Sequence, residues 1–213
     1  MRQKTTDLYQ FDELSDAAKE KARDWYREAS AGDEFYAESV LDDAKSALKV
    51  LGYSVDHIYY SGFSSQGDGA CFVGSFYASD YDGKGTNAVQ ALLIDRPTDK
   101  ELARCAAELE RILLACPELS ASLEHVGRYH HENSVRFSVD TGEETNAEQS
   151  ELVEDAFKEV SRDLMRWIYR ALEKEYEYSM ADDTVDENMR ANEYEFTEDG
   201  KRFVVRNTGL PVA

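Results

Sequence analysis

The side chains that could do chemistry concentrate in one glycine-bearing loop, residues 64–69. Ser64, Ser65, Gln66 and Asp68 supply donors and acceptors there, and the two glycines would let backbone N–H groups approach a ligand closely. The loop lacks the GxxxxGK[ST] pattern, and no helix is predicted to follow it, so it does not indicate a phosphate loop. Two interpretations stay open: a small-ligand site, and a hairpin turn whose Asp and Ser bind the local backbone.

His130 could complete a catalytic group with this loop. Ser64, His130 and Asp68 are the residue types of a hydrolytic triad, and Cys71 with His130 would make a thiol–imidazole pair. However, the chain has no GxSxG elbow, and Cys71 lies in a run of apolar residues, where thiols are usually inert. We therefore predict that the protein is not an enzyme and has no catalytic residues.

The histidines do not predict a metal site. His130 and His131 are adjacent, so on the strand predicted for them they would point to opposite faces. His125 and His131 would share a face but stand about 20 Å apart along that strand. We predict neither a metal nor a cofactor.

Acidic residues dominate the composition: 44 Asp and Glu stand against 24 Lys and Arg, for a formal net charge of −20. Such a charge repels nucleic acid and anionic membranes, and it favours basic partners or simply solubility. The excess is concentrated between residues 140 and 200, where 20 acidic residues accompany 6 basic ones.

Part of this acidic segment forms a regular row. Glu151, Asp155, Glu159 and Asp163 recur every four residues, which spaces them by about 6 Å along a helix. The row could imitate a phosphate backbone, or it could be a solvated face eased by nearby arginines such as Arg162, Arg166 and Arg170. The candidate partner-binding residues on the acidic surface are Glu151, Asp155, Glu159, Asp163, Asp182, Asp183, Asp186 and Glu187.

Composition also bounds the class of protein. With 42% hydrophobic and 32% charged residues, the chain can form a core. No run of about 18 apolar residues is present, and the first residues lack the apolar stretch of a signal peptide. Three cysteines, an odd number without a CxxC pair, indicate free thiols. We expect a cytoplasmic protein that does not enter a membrane.

Hydrophobic periodicity predicts the elements. Two helices, capped by Ser15 and Asp33, precede a β-hairpin whose strands flank the 64–69 loop. A third strand is predicted at residues 88–94, followed by a helix with a capping box at Thr98 and Glu101. A second hairpin at residues 121–130 and 134–139 leads to the longest helix, which begins near Asn146.

This order predicts an α+β fold, an antiparallel meandering sheet packed by helices with a long C-terminal helix. We predict one domain at residues 1–178. Residues 179–213 would form an acidic appendage with a helical piece and a small terminal hairpin turning at residues 199–200.

Several stretches resemble a family of accessory proteins of tailed bacteriophages, whose members are often labelled "antitoxin of toxin–antitoxin stability system". They are residues 11–15 (FDELS), 22–26 (ARDWY), 61–72 (SGFSSQGDGACF), 127–131 (GRYHH) and 192–200 (NEYEFTEDG). The resemblance extends over most of the chain, and its most specific part is residues 61–72, which contain the 64–69 loop and the start of the strand after it. It implies a phage protein made in a bacterial cytoplasm, and it supplies no catalytic residues.

Together these observations predict a non-enzymatic inhibitor that binds a host protein with a basic surface, such as an antiviral defence or nucleic-acid-binding complex. Two alternatives remain: an antitoxin that neutralises a cognate toxin, and a protein that sequesters a nucleotide or other small molecule in the 64–69 loop together with His130. Four aromatic residues of the acidic segment, Tyr176, Tyr178, Tyr194 and Phe196, could be covered by a protein partner or by self-association in a homo-oligomer, or they could pack in the core.

Overall fold

The fold is α+β, as the sequence predicts. A computed structural model of the chain describes residues 6–32, 34–143 and 145–204. The helices in these ranges are α1 (Asp16–Ser30), α2 (Phe35–Val50), α3 (Asp82–Gly85), α4 (Ala88–Asp95), α5 (Lys100–Ala115), α6 (Ala147–Met180) and α7 (Asp182–Ala191). The strands are β1 (Tyr9–Gln10), β2 (Leu51–Tyr60), β3 (Ala70–Tyr81), β4 (Ser120–His125), β5 (Val135–Asp140) and β6 (Glu195–Phe196).

The chain divides into two compact units. The sheet unit is Ala37–Lys174, and the terminal unit combines the described residues up to Tyr36 with those from Glu175 onward. The predicted division after residue 178 separated off nearly the same C-terminal segment, but it assigned the N-terminal residues to the main domain.

The sheet unit contains the predicted meander. Strands β2, β3, β4 and β5 are each antiparallel to the next, and the first hairpin closes with Tyr60 opposite Ala70. A bulge follows Val55, where β3 carries Gly74 with φ +143°. A Cβ atom at Gly74 would lie 2.0 Å from the carbonyl oxygen of Ser54, so only glycine permits this approach of the two strands.

Aromatic rings join the sheet to α6. The Phe76 ring centroid lies 4.9 Å from that of Tyr53 and 4.8 Å from that of Phe157, and all three side chains are buried. The Tyr53 hydroxyl lies 2.9 Å from Ser161 Oγ, which itself donates to the Phe157 carbonyl, so Tyr53 donates to Ser161. Burial raises the pKa of Tyr53, because an anion has no solvation there.

Helix α5 lies antiparallel beside α6. The Trp167 indole donates to Asp99 at the start of α5, at 2.8 Å. At the other end of the pair, the Gln149 side chain donates to the Ala115 carbonyl, at 3.2 Å. Asp99 also accepts from the Leu102 backbone N–H, so it caps α5. The capping box predicted at Thr98 and Glu101 is therefore wrong. The cap is Asp99, one residue after Thr98, and its carboxylate accepts from a backbone N–H in the first turn of α5.

The terminal unit is built from both ends of the chain. Strand β1 pairs with β6, with Tyr9 opposite Phe196, and α1 packs against α7 around a common core. That core consists of Phe11, Leu14, Ala18, Ala22, Val185, Met189 and Phe196. Beyond β6 the chain turns back, with Phe196 bridging to Arg202, as the predicted terminal hairpin requires. Periodicity did not predict β1, the strand that completes this pairing.

A buried ion pair crosses the terminal unit. Arg23 of α1 donates to both carboxylate oxygens of Asp186 of α7, at 2.7 and 2.8 Å. Only 15% of the Arg23 side chain and 11% of the Asp186 side chain are exposed, so water screens this pair weakly. The interaction fixes α1 against α7.

The strand predicted at residues 88–94 is wrong, because this segment is helix α4. Val89 and Leu92 are buried at a helical spacing of three residues. The carboxylate of Asp82 accepts from the backbone N–H groups of Asn87 and Val89 and so satisfies donors at the start of the helix. This carboxylate comes from outside the segment, so the segment's own pattern could not reveal it.

The second predicted hairpin exists but is shorter than expected. Strand β4 ends at His125, which pairs with Val135, and Gly127 adopts φ +86° immediately after it. Residues 126–131 are therefore a loop, and the predicted strand through His130 is wrong. Ser15 caps α1, as predicted, and α6 begins next to Asn146, as predicted, with the Asn146 side chain accepting from the Gln149 N–H. The predicted cap Asp33 lies outside the described residues.

Within residues 6–32, 34–143 and 145–204, none of the helices combines the length and the apolar character needed to cross a bilayer.

We expect Asp186→Ala to lower the free energy of unfolding by about 3 kcal/mol, because it leaves the Arg23 guanidinium buried without its partner. Urea denaturation followed by circular dichroism would measure the shift. Glu187→Ala is the matched control, since it removes an exposed carboxylate from the same helix and should change the stability by less than about 0.5 kcal/mol. Equal midpoints for the two variants would contradict a stabilising role for the pair.

Candidate functional site

The 64–69 loop is held by its own side chains. One carboxylate oxygen of Asp68 accepts from the backbone N–H of Ser64 at 3.1 Å and from that of Ser65 at 2.6 Å. The Ser61 hydroxyl accepts from the Gly69 N–H at 3.2 Å. These bonds form a local turn of the kind that Asp and Ser make with the nearby backbone. Ser64, Ser65 and Gln66 remain exposed.

The glycines of this loop have a packing role. A Cβ atom at Gly69 would lie 2.6 Å from the Cβ of His131, and one at Gly67 would lie 3.2 Å from the Tyr129 ring. Glycine therefore lets the loop lie directly against residues 127–131. On its other side, the Tyr169 hydroxyl of α6 donates to the Gly62 carbonyl at 3.0 Å. The described contacts thus explain the loop as a packed turn.

Three of the four histidines gather around Tyr59, although the sequence did not group them. The Tyr59 ring centroid lies 4.3 Å from that of His57, 4.8 Å from that of His125 and 5.4 Å from that of His130. His125 approaches the Tyr129 carbonyl through Nε2 at 2.7 Å. The predicted separation of His125 and His131 rested on a strand that is absent, because β4 ends at His125 and residues 126–131 form a loop.

The described hydrogen bonds do not assemble the hydrolytic triad. His130 directs Nδ1 to the Tyr60 carbonyl at 3.0 Å, while Asp68 binds backbone N–H groups. In the part of the chain that the structure describes, no hydrogen bond joins His130 to Ser64 or Asp68, and Asp68 binds Ser64 only through its backbone N–H. In the same part, no group of three or more His, Cys, Asp or Glu side chains is arranged to hold a metal ion.

Burial disfavours Cys71 as the nucleophile of a thiol–imidazole pair. Cys71 is fully buried in β3, and burial raises the pKa of its thiol to about 12. Burial likewise raises the pKa of the Cys105 thiol to about 11. The thiolate is the nucleophilic form, so neither group is activated at neutral pH.

The acidic row on α6 is divided into two halves by arginines. In its C-terminal half, Asp163 binds Arg104 of α5 at 2.6 Å and also binds Arg166. Arg166 reaches Glu159 at 2.6 Å and Glu132 at 3.4 Å. Burial alone would raise the pKa of Asp163, but hydrogen bonds from Arg166 and Arg104 hold it below its usual value. This half of the row is therefore neutralised within the protein.

The N-terminal half of the row stays acidic. Glu151 and Asp155 are exposed, and neither forms an ion pair in the described part of the chain. Leu152, next to Glu151, leaves 68% of its surface exposed. Glu148, one helical turn earlier, is also exposed. We call Glu148, Glu151, Leu152 and Asp155 the acidic patch.

The candidate carboxylates of the terminal unit divide in the same way. Asp186 is the buried partner of Arg23, and Asp182 binds Arg27, so both are engaged within the unit. Asp183 and Glu187 are exposed and have no ion pair among the described residues. Of the four, these two remain open to a partner.

Two residues at these sites were missed by the sequence reasoning. The counter-ions Arg104 and Arg23 lie 59 and 163 residues away from the carboxylates that they bind. Their spacing along the chain therefore carries no signal. Arg166 was expected near the row because it lies three residues from Asp163 on the same helix. Arg170, grouped with it, instead binds Glu101.

A family model described as "Domain of unknown function (DUF8835)" matches residues 36–182, which is more than half of the chain. No curated protein and no solved structure matches the chain significantly.

We expect Cys71 and Cys105 to resist modification in the native protein. A thiol-specific chromogenic disulfide, added at mildly alkaline pH, should react with neither until the chain is unfolded in concentrated guanidinium chloride, when all three cysteines become accessible. Tryptic mass spectrometry of the modified chain would assign each reaction. Rapid native modification of Cys71 would contradict the raised pKa and would restore the thiol–imidazole pair as a candidate nucleophile.

The ion pairs of Asp163 with Arg104 and Arg166 should make the free energy of unfolding depend on pH. Because the pKa of Asp163 is lower in the folded chain than in the unfolded one, its contribution is present above about pH 4 and is lost as the pH falls through the folded value. We expect Asp163→Asn to reduce the urea midpoint at neutral pH, and the difference from the unmodified protein to shrink in acid. Asp155→Asn, on the exposed part of the same helix, should show little difference at any pH.

Proposed function

We propose that this chain, which belongs to the DUF8835 family, acts by binding another protein with a basic surface and not by catalysing a reaction. The partner in this proposal is a host antiviral defence or nucleic-acid-binding complex, and the chain is a phage-encoded inhibitor of it. The phage origin follows the sequence resemblance, and the binding mode follows the charge distribution on α6.

The single observation that supports this proposal is the unequal neutralisation of the acidic row. Arg104 and Arg166 occupy the carboxylates of Asp163 and Glu159, whereas Glu151 and Asp155 have no ion pair in the described part of the chain. An isolated surface charge contributes little to stability, so the fold does not depend on the carboxylates of Glu151 and Asp155. Exposed, unpaired carboxylates are well suited to attracting a basic surface.

Leu152 adds an apolar contact to the acidic patch. An interface needs side chains that lose their water on binding, and carboxylates alone supply mainly steering and register. With 68% of its surface exposed, Leu152 can be covered by a partner while Glu151 and Asp155 meet basic side chains at its edge. The combination favours a protein partner over a purely electrostatic contact.

The same geometry limits the imitation of DNA. A row of four free carboxylates would span about 18 Å along the helix, whereas Glu151 and Asp155 alone span about 6 Å. The proposed mimicry is therefore short, and it is extended by Glu148 and not by Glu159 and Asp163. A compact basic patch on a protein fits this length better than a long groove that holds nucleic acid.

We expect the double variant Glu151→Lys/Asp155→Lys to lose the partner. The tagged protein would be used to capture proteins from the bacterial host at low and at raised salt, with mass spectrometry of the bound fraction. Charge reversal replaces attraction to the basic partner by repulsion, so binding of the partner should fall by at least about tenfold. Raised salt should also weaken binding of the unmodified protein, because exposed charges are screened over about 8 Å.

The matched control is Glu38→Lys/Asp42→Lys, which makes the same charge change at the same four-residue spacing on the exposed side of α2. It should retain the partner. Equal loss with both double variants would indicate a response to net charge alone and would contradict the acidic patch. A captured toxin encoded beside this gene, whose toxicity the chain relieves, would support the antitoxin alternative instead.

A further inference from the structure

The terminal unit contains a groove that the proposed function does not use. Its volume is about 300 Å³, at the lower end of the range for ligand pockets, so it suits one side chain better than a cofactor. It is formed where α1 and α6 end and α7 begins. The residues that line it are Tyr26, Ser30, Phe35, Tyr36, Glu175, Tyr178, Ser179, Met180, Thr184 and Asn188.

The groove presents aromatic rings to solvent. Phe35 leaves 78% of its surface exposed and Tyr178 leaves 60%. Beside them, the Tyr36 ring meets Tyr176 edge to face, with ring centroids 5.4 Å apart. Large rings left open to water are typical of surfaces that a partner covers, and an aromatic face also attracts a cation through its negative electrostatic potential.

The charges around the groove favour a cation. Glu175 is the only acidic side chain among the ten described residues that line the groove, and none of these ten is a lysine or an arginine. Helices α1 and α6 end there while α2 and α7 begin there, so the partial charges of the helix ends offset one another and the bias rests on Glu175. The Arg27 guanidinium binds the Met180 carbonyl at 3.1 Å, but its charge is also paired with Asp182.

The whole terminal unit adds to this bias. The chain segments 1–36 and 175–213 contain 19 Asp and Glu against 10 Lys and Arg, a net charge of −9. A positively charged group would therefore be drawn toward this unit from a distance and held by the rings at short range.

We infer that this groove binds an arginine side chain of a protein partner, with the guanidinium against the Phe35 and Tyr178 rings and its charge balanced by Glu175. Arginine suits the site better than lysine, because its planar guanidinium stacks on aromatic faces and is more weakly hydrated. The inference goes beyond the proposed function, since it rests on the other unit and on none of the residues of the acidic patch.

The test uses the full chain and two short peptides, acetyl-Gly-Arg-Gly-amide and its citrulline counterpart, which keeps the shape of arginine without the charge. Nuclear magnetic resonance titration would measure both affinities and would locate the shifts. We expect the arginine peptide to bind at least about fivefold more tightly and to shift Tyr178, Thr184 and Asn188. Equal affinity for the two peptides would overturn the inference.

Variants identify the groups responsible. Phe35→Ala/Tyr178→Ala should weaken the arginine peptide by at least about fivefold, and Glu175→Gln by about threefold, whereas Tyr77→Ala and Glu187→Gln should leave the affinity within about twofold. Tyr77 is a partly exposed ring of the sheet unit, and Glu187 is an exposed carboxylate of α7 outside the groove. Because Phe35 and Tyr178 are exposed, their removal should preserve the amide spectrum.

Two results would assign the groove differently. Unchanged affinity of the Phe35→Ala/Tyr178→Ala variant would show that the peptide binds elsewhere on the acidic surface. A dimer in light scattering that becomes a monomer in this variant would give the groove to a second copy of the chain. Failure of the α6 charge-reversal experiment would not alter the peptide readout, so the two proposals are tested separately.

Discussion

The shortage of basic side chains constrains this protein, because 44 acidic side chains are present with only 24 lysines and arginines. Many carboxylates must therefore remain without a basic partner, and the positions of the arginines decide which ones. Arg104 and Arg166 neutralise Asp163 and Glu159 between α5 and α6, and Arg23 neutralises Asp186 inside the terminal unit. The packing of these helices therefore depends on where the arginines lie. The exposed acidic surface consists of the carboxylates that no arginine binds.

Helix α6 shows how one element serves both purposes. Its apolar face includes Phe157, which packs against Tyr53 and Phe76 of the sheet, and this burial fixes the helix whatever the outer face carries. On the outer face, the half beside the N-terminal part of α5 is neutralised by ion pairs, and the half that begins the helix is acidic. The proposed acidic patch is thus presented on a rigid support, which limits the entropy lost when a partner binds.

The residue types that suggested catalysis have structural roles in the described contacts. Asp68 organises the turn of the 64–69 loop, and Gly69 allows residues 127–131 to approach it. His130 binds the Tyr60 carbonyl, and Cys71 is buried in a strand. Side chains able to hydrogen-bond are useful for closing loops as well as for chemistry, so a list of such residues cannot distinguish the two uses.

The sequence by itself determined the α+β class, the helices α1, α2, α5 and α6, the cap Ser15, the start of α6 near Asn146, and the first hairpin. These features depend on hydrophobic periods and on hydrogen bonds between residues a few positions apart, and such information is local. The tertiary structure alone decided that β1 joins β6. Residues 88–94 are helical with donors at their start satisfied by Asp82, which lies outside the segment whose apolar pattern predicted a strand.

Only the tertiary structure also decided which carboxylates remain free. Asp163 and Asp186 look like their exposed neighbours in sequence, yet each meets an arginine from a distant helix. The gathering of three histidines around Tyr59 and the aromatic groove near Tyr178 depend on the same kind of long-range approach. Periodicity assigns a residue to a face of its own helix or strand, but contact between faces is set by how the elements pack.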